Sequence, residues 1–283
     1  YVVFYLLTLP FGMFVIWAHP YNHPYDGWLE FIMKPLIGLF TVKTTSFAFH
    51  TNGPSWFFVA LFIVKLLFYI TKKYGCSVKS LTITTTVCLI GYFVLKENDY
   101  ASYARFNTAL IAFPLFVFGY LLNTKTNIIA RMKESKVFVN IAVSLCCAFV
   151  CLLITNLNGH VEFSAAGYGN NMILMYLAAI FGFFFVIGMS ISTPINKYIL
   201  TIGGGTSVVL GLHSPIQQLI KEMTRVVFHI PTHDYSIFLA FPMTVMVLIC
   251  HLPIIYLLNH KYPFLIGKYR KNESYESNTY RSR

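Results

Sequence analysis

Long apolar runs separated by short polar segments are the main pattern along this chain. A helix needs about 20 mainly apolar residues to cross the roughly 30 Å of hydrocarbon in a bilayer. Eight runs fit that criterion, near residues 1–18, 54–71, 80–96, 105–123, 137–156, 172–191, 197–217 and 235–258. The pattern therefore predicts an all-α fold, a polytopic transmembrane helical bundle with about eight spans.

Composition supports a membrane environment. Apolar residues make up 57% of the 283 residues and charged residues only 11%. A soluble domain carries roughly 25% charged residues, because its surface must face water. Of the six cysteines, Cys76 lies in a predicted cytoplasmic loop and the others in predicted spans, so that none is placed where oxidation favours a disulfide. These numbers exclude a soluble enzyme, a disordered chain and a small secreted protein.

The formal charge of +11 is unevenly distributed between alternate predicted loops. Fourteen Lys and Arg residues fall on one side, including those of the tail, and six fall on the other. By the positive-inside rule the side with fourteen is cytoplasmic. The charge thus predicts a multi-pass protein of the cell membrane in contact with lipid, and not a nucleic-acid-binding protein. It also predicts two regions, a membrane domain over residues 1–258 and a basic cytoplasmic tail over 259–283.

The start of the chain carries a further expectation. Tyr1 already belongs to an apolar run, without the polar leader of a native start. An even number of spans with a cytoplasmic tail places Tyr1 in the cytoplasm. We therefore expect further spans upstream, in an even number if the complete protein also begins inside.

Metal and cofactor motifs are weak in this sequence. Two pairs of histidines are four residues apart, a spacing that would place both rings on one face of a helix; they are His19 with His23 and His229 with His233. Pro20 interrupts the first pair and Pro231 the second. No Cys-x-x-Cys or His-Glu-x-x-His spacing occurs. The sequence predicts no metal site and no bound cofactor.

His213 is the most informative ionisable residue. It lies in the segment GLHSPIQQ, within an apolar run and near its predicted outer end. An ionisable ring at membrane depth is costly unless it meets a partner or a water-filled cavity. Two interpretations stay open: a functional group, or a histidine that holds the bundle together through a hydrogen bond between helices. Lys65 allows a similar choice, since its long side chain can reach the interface.

Four motifs, in order, resemble the membrane acyltransferase-3 family. They are GPSWFF at 53–58, AFPLFVFGYL at 112–121, the Asn-Gly-His and Tyr-Gly-Asn-Asn elements within 158–171, and the glycine-rich segment with His-Ser-Pro-Ile within 202–216. The resemblance implies about ten spans in a complete chain, so that a pair would be missing here. It implies an integral-membrane O-acyltransferase that transfers an acetyl or other acyl group from acyl-CoA to a hydroxyl of a cell-surface polysaccharide or lipid-linked glycan.

The chain departs from the family at two motifs. The basic residue about ten positions before a histidine in the first span has no counterpart, and neither has the Phe-Phe-x-x-Ser-Gly segment. The principal catalytic histidine is therefore expected upstream of Tyr1, and this chain is expected to be inactive by itself.

The resemblance also indicates site residues. It places a histidine at His213, which we interpret as a catalytic residue that binds or orients the acceptor. Trp56, Tyr168 and Asn170 form the expected substrate-binding set, because aromatic faces pack on sugar rings and amides bind hydroxyls. All four are predicted to line one extracytoplasmic mouth. The alternative class is a polytopic membrane transporter or glycan flippase, and a non-catalytic membrane scaffold is a third.

Overall fold

The structure of the chain, a computed structural model, describes residues 2–18, 56–75, 77–97, 105–228 and 237–266, with residues 29, 30, 33 and 37. Within these residues the regular backbone is helical, and no β-strand occurs. Ten α-helices and two short 3-10 turns make up the described chain. The predicted all-α class is therefore confirmed.

The chain divides into two compact units. The helices of the middle unit are α2 (Trp56–Tyr74), α3 (Val78–Glu97), α4 (Phe106–Lys125), α5 (Ile128–Glu134), α6 (Val137–Asn158) and α7 (Met172–Ser192). The helices of the terminal unit are α1 (Val2–Ala18), α8 (Lys197–Gly204), α9 (Thr206–Phe228) and α10 (Ile237–His260). The 3-10 turns lie at Phe163–Ala165 in the middle unit and Pro263–Ile266 in the terminal unit.

Five helices are long and apolar enough to cross a membrane, namely α3, α4, α6, α7 and α10. The pair α8 and α9 would make a sixth span if its two parts act together, although they meet at an angle of 84°. The two other predicted spans correspond to α1, which has 17 residues, and α2, which carries three lysines among its 19 residues. A multi-pass membrane protein is thus supported, whereas the number eight stays a prediction, as does the division at residue 258.

The middle unit is held together by small and aromatic side chains. Helices α6 and α7 form its most extensive contact, and Gly188 of α7 lies directly against the buried Ser144 of α6. Helix α4 packs between α3 and α2. On the α2 side, the ring of Phe68 lies 5.1 Å from Phe116 and 4.8 Å from Tyr120, both edge to face. Such pairs stabilise beyond the area they bury.

The terminal unit packs through glycines. A Cβ atom at Gly211 of α9 would lie 2.7 Å from ring carbons of Phe4 in α1, so the absence of a side chain allows these helices to approach closely. Gly205, between α8 and α9, is similarly covered by Ile255 of α10. Pro215 falls one helical turn after Gly211 and removes an amide donor from α9.

Candidate functional site

His213 is held by the backbone of its own helix. Its Nδ1 lies 3.1 Å from the carbonyl oxygen of Val209 and 3.0 Å from that of Leu210. Carbonyl oxygens only accept hydrogen bonds, so Nδ1 is the nitrogen that carries the proton. In the neutral ring the lone pair is then on Nε2. The ring is half-buried, and Nε2 is the nitrogen left for a ligand.

A pocket of about 570 Å³ lies between α9 and α10 in the terminal unit. Its wall on α9 has a polar row, formed by Thr206, His213, Gln217 and Lys221, that follows helical spacing. The facing wall on α10 is mostly apolar, and its residues are Ala240, Met243, Thr244, Val247 and Leu248. A cavity of this size with a few converging polar groups is typical of small-molecule sites.

His251 is a second histidine in this unit, and sequence reasoning missed it. It is fully buried in α10, and its Nδ1 lies 2.6 Å from the carbonyl oxygen of Val247. Its buried Nε2 has no hydrogen-bond partner among the described residues. The signal was present, because His251 is also an ionisable residue inside an apolar run.

Trp56 belongs to the middle unit and opens α2. It lines a smaller pocket of about 250 Å³ between α2 and α4, together with Phe163 of the 3-10 turn. The ring of Trp56 also contacts Phe57 edge to face, with centroids 6.1 Å apart. The predicted binding residue is therefore at a pocket, although the wall of that pocket is almost entirely apolar.

Tyr168 and Asn170 are brought together by Asn158, the last residue of α6. Asn158 Nδ2 donates to the carbonyl oxygen of Tyr168 at 2.8 Å, and its own carbonyl oxygen accepts from the amide of Asn170 at 2.8 Å. Asn158 Oδ1 also accepts from the amide of Asn171 at 2.7 Å. Asn158 is fully buried, so these bonds fix the loop between α6 and α7 and present the exposed Asn170.

The ammonium group of Lys96 lies over the ring of Tyr168. Lys96 Nζ lies 4.0 Å from its centroid, and the ring of Tyr92 stands 6.2 Å away, edge to face. A lysine over an aromatic face is attracted by the ring quadrupole. This face of Tyr168 is therefore covered by Lys96.

Arg105 is the buried cation of the middle unit, with only 6% of its surface exposed. Its guanidinium donates to the carbonyl oxygen of Ser164. Burial lowers the pKa of Arg105, and the nearby charge of Glu162 partly opposes that shift. An arginine is charged at any physiological pH even so. Glu162 also accepts a hydrogen bond from the hydroxyl of Ser164 at 3.3 Å.

The four predicted site residues thus fall into two groups. Tyr168, Asn170 and the Trp56 pocket belong to the middle unit, and His213 belongs to the terminal unit. Their common mouth stays a prediction. In the part of the chain that the structure describes, no three His, Cys, Asp or Glu residues could hold a metal ion, and the pairs His19–His23 and His229–His233 lie outside it.

Comparison of the chain with protein-family models, curated proteins and solved structures gave no match. The resemblance to the acyltransferase-3 family therefore rests on the four sequence motifs alone.

Proposed function

We propose that this chain belongs to an integral-membrane O-acyltransferase, which transfers an acetyl or other acyl group from acyl-CoA to a hydroxyl of a cell-surface polysaccharide or lipid-linked glycan. The observation that carries the proposal is the state of His213. Its Nδ1 is bound to two helix carbonyls, so a basic Nε2 is left at a pocket large enough for a sugar unit.

The chemistry requires a base and a group that orients the acceptor. A sugar hydroxyl is a poor nucleophile at neutral pH, and a positioned base can remove its proton as it attacks. In the proposed step the hydroxyl oxygen forms a bond to the thioester carbonyl carbon while Nε2 of His213 accepts a hydrogen bond from the acceptor and orients it. The hydroxyl proton passes to the principal catalytic histidine that the resemblance implies. The C–S bond then breaks, and the departing CoA thiolate takes up the proton. The products are the glycan ester and free CoA.

The pocket offers groups that could orient the acceptor. The amide of Gln217 can donate to and accept from hydroxyls one helical turn beyond His213, and Thr244 lines the facing helix. Apolar side chains on α10 would exclude water from the reacting atoms, which protects a thioester from hydrolysis. The donor and acceptor would approach from opposite sides of the membrane, as the resemblance implies.

The experiment compares His213→Gln with His260→Gln in the membranes of the cells that make the protein. His260 is a matched control because its Nδ1 makes the same kind of backbone bond, 2.9 Å from the carbonyl oxygen of Tyr256, but its ring is exposed and outside the pocket. With labelled acetyl-CoA, we expect His213→Gln to lower transfer to the glycan at least about tenfold, equivalent to about 1.4 kcal/mol. His260→Gln should retain full transfer.

Two results would overturn the assignment. Full transfer by His213→Gln would make the ring a packing group. Loss of the variant from the membrane, measured by immunoblot, would show that the histidine acts in folding instead.

The rival function is a transporter or glycan flippase, and one observation favours it. The chain bends by 84° between α8 and α9, and broken helices are common at the substrate sites of transporters. Mass spectrometry of surface glycans from a deletion strain separates the two classes. An acyltransferase predicts that O-acetyl groups are lost from a glycan that still reaches the surface, whereas a flippase predicts loss of the surface glycan itself.

A further inference from the structure

The Trp56 pocket has an almost entirely apolar wall. Its wall combines side chains of α2 and α4, among them Trp56, Ala60 and Ala112, with Phe163 of the turn. Thr108 is the polar member of the wall. Such a slot suits a hydrocarbon chain better than a sugar ring, because it offers almost no hydrogen-bonding groups to hydroxyls.

Arg105 is placed at the polar edge of this slot. The hydroxyl of Thr108 lies 3.4 Å from the carbonyl oxygen of Ser164, and the guanidinium of Arg105 donates to the same oxygen. Arg105 and Thr108, a residue of the pocket wall, therefore contact the same carbonyl oxygen. Arg105 also has a left-handed backbone, φ 60°, which is uncommon for a residue with a side chain. Strained conformations of this kind tend to occur at functional sites.

Lys96 brings a second positive charge to the same turn. Its Nζ lies over the rings of Tyr168 and Tyr92, at 4.0 Å and 5.9 Å. The hydroxyl of Tyr92 donates at 2.6 Å to the carbonyl oxygen of Ala166, two residues after the Ser164 carbonyl that Arg105 holds. Both cations are thus connected to the segment 163–166. The exposed Glu162 supplies one negative charge against these two positive charges.

A buried donor next to Arg105 adds an independent observation. Asn107 is 2% exposed, and its Nδ2 has no hydrogen-bond partner among the described residues. A buried amide without an acceptor is costly, and a ligand that supplies one relieves that cost. Asn107 lies between Arg105 and Thr108 in sequence, at the first turn of α4. Asn107 Nδ2 and the Arg105 guanidinium are thus two buried donors at the same end of α4.

From these contacts we propose that the middle unit binds a membrane lipid through its phosphate headgroup and one acyl chain. The phosphate lies at Lys96 and Arg105, and the chain enters the slot between α2 and α4. Two cations beside an apolar slot favour a ligand that has both an anionic group and a hydrocarbon chain. A neutral lipid lacks the anionic group, and a free anion lacks the chain. The proposal is independent of acyl transfer, since an enzyme and a transporter could both hold such a lipid.

The experiment uses the full chain, purified in a neutral detergent, and three probes that separate head from tail. The first is a single-chain lysophosphatidic acid, the second is the monoacylglycerol with the same chain, and the third is glycerol phosphate. Binding is measured by native mass spectrometry and by displacement of a fluorescent lipid. Glycerol phosphate tests whether the anion alone is enough.

Two variants remove the two halves of the site. Lys96→Gln removes the exposed cation, and Ala112→Leu fills the slot. Lys73→Gln is the matched control, because Lys73 is also an exposed lysine over a tyrosine, 5.8 Å from the ring of Tyr74, whereas Lys96 lies over the ring of Tyr168. Arg105 is left intact because its bond to Ser164 also shapes the turn.

We expect the lysophosphatidic acid to bind at least about tenfold more tightly than either of the other probes. Lys96→Gln should weaken it about fivefold, as expected for one cation near a lipid phosphate, and Lys73→Gln should have no effect. Ala112→Leu should weaken the lipid and leave glycerol phosphate unchanged. Equal affinity for the monoacylglycerol would overturn the headgroup site. Equal affinity for glycerol phosphate, or no effect of Ala112→Leu in a chain that melts normally, would overturn the tail site.

Discussion

A side chain at Gly169 would collide with Asn158, because a Cβ atom built on Gly169 would lie 2.6 Å from the Asn158 carbonyl oxygen. That oxygen is an acceptor for the loop that follows α6, and the side chain of Asn158 makes two more bonds to the same loop. The glycine also has a φ of +76°, where residues with a side chain are strained. Gly169 and Asn158 therefore form one structural element that closes the loop bearing Tyr168 and Asn170.

The first prediction follows from this contact. Gly169→Ala should lower the free energy of unfolding by about 1 kcal/mol or more, because it adds both backbone strain and a steric clash. Thermal unfolding of the detergent-purified protein measures the change. Gly119→Ala is the control, since a Cβ atom there would meet nothing within 4 Å. Equal melting temperatures for the two variants would contradict the contact.

The second prediction concerns the interface between α6 and α7. A side chain at Gly188 would overlap Ser144, which is fully buried, whereas one at Gly182 would lie 3.6 Å from the sulfur of Cys151, an ordinary contact. Both glycines lie on α7, so the same substitution can be compared on one helix. Gly188→Ala should lower the melting temperature and cost about 1–3 kcal/mol, as overpacking does.

The control has an opposite expectation. Gly182→Ala should be neutral or slightly stabilising, because alanine is the better helix former and its methyl group has room. If Gly188→Ala melts at the same temperature as Gly182→Ala, α6 and α7 do not approach each other at Ser144.

Much of the fold could be predicted from the sequence because apolar runs report burial in a membrane directly. Segments such as 137–156 and 172–191 lie within helices α6 and α7, which are long and apolar enough to span. The number of spans was harder to predict. Lysines make α2 less apolar, and α1 has only 17 residues. Hydropathy alone also does not distinguish a span from a helix that packs inside the protein.

The candidate site was less predictable than the helices. His213 was found because an ionisable group in an apolar run is conspicuous, and His251 could have been found by the same rule. The role of Asn158 could not be predicted, since its three bonds to the loop depend on where the chain returns after α6. The burial of Arg105 could not be predicted either, because it depends on the carbonyl of Ser164, 59 residues away in sequence.

The third prediction separates the members of the glycine run. Gly205, the last of the three consecutive glycines Gly203–Gly205, lies both at a break between two helices and at a close helix contact. The chain bends by 84° there, and a Cβ atom at Gly205 would lie 2.6 Å from Ile255. A Cβ atom at Gly203 or Gly204 would meet nothing within 4 Å. Gly205→Ala should therefore destabilise the protein, and Gly203→Ala should be tolerated.

Two measurements test this difference. Thermal unfolding should give a lower melting temperature for Gly205→Ala alone. In addition, a double-mutant cycle should show that Gly205→Ala costs less in the Ile255→Ala background than in the parent, because the shorter side chain makes room for the added methyl group. An equal cost in both backgrounds would mean that the glycine is needed for the bend instead of the contact with Ile255.

The last prediction concerns orientation in the membrane, on which the proposed chemistry depends. Helix α6 has 22 residues and is the most apolar of the five candidate spans, so its two ends should lie on opposite sides. Exposed positions exist at both ends: Lys133, just before α6, and His160, just after it. The excess of basic residues predicts that Lys133 and the exposed His260 are cytoplasmic and that His160 is outside.

Cysteines introduced at these positions, in a chain whose native cysteines are replaced by alanine, can be labelled with a membrane-impermeant maleimide. In intact cells we expect His160→Cys to react, and Lys133→Cys and His260→Cys to react only after permeabilisation; the cysteine-free parent gives the background. Reaction of Lys133→Cys and His160→Cys from one side would mean that α6 does not cross the bilayer. The opposite pattern, with Lys133→Cys and His260→Cys labelled in intact cells, would place the basic loops outside the cell. That orientation would contradict the proposed entry of acyl-CoA from the cytosol on the side of these loops.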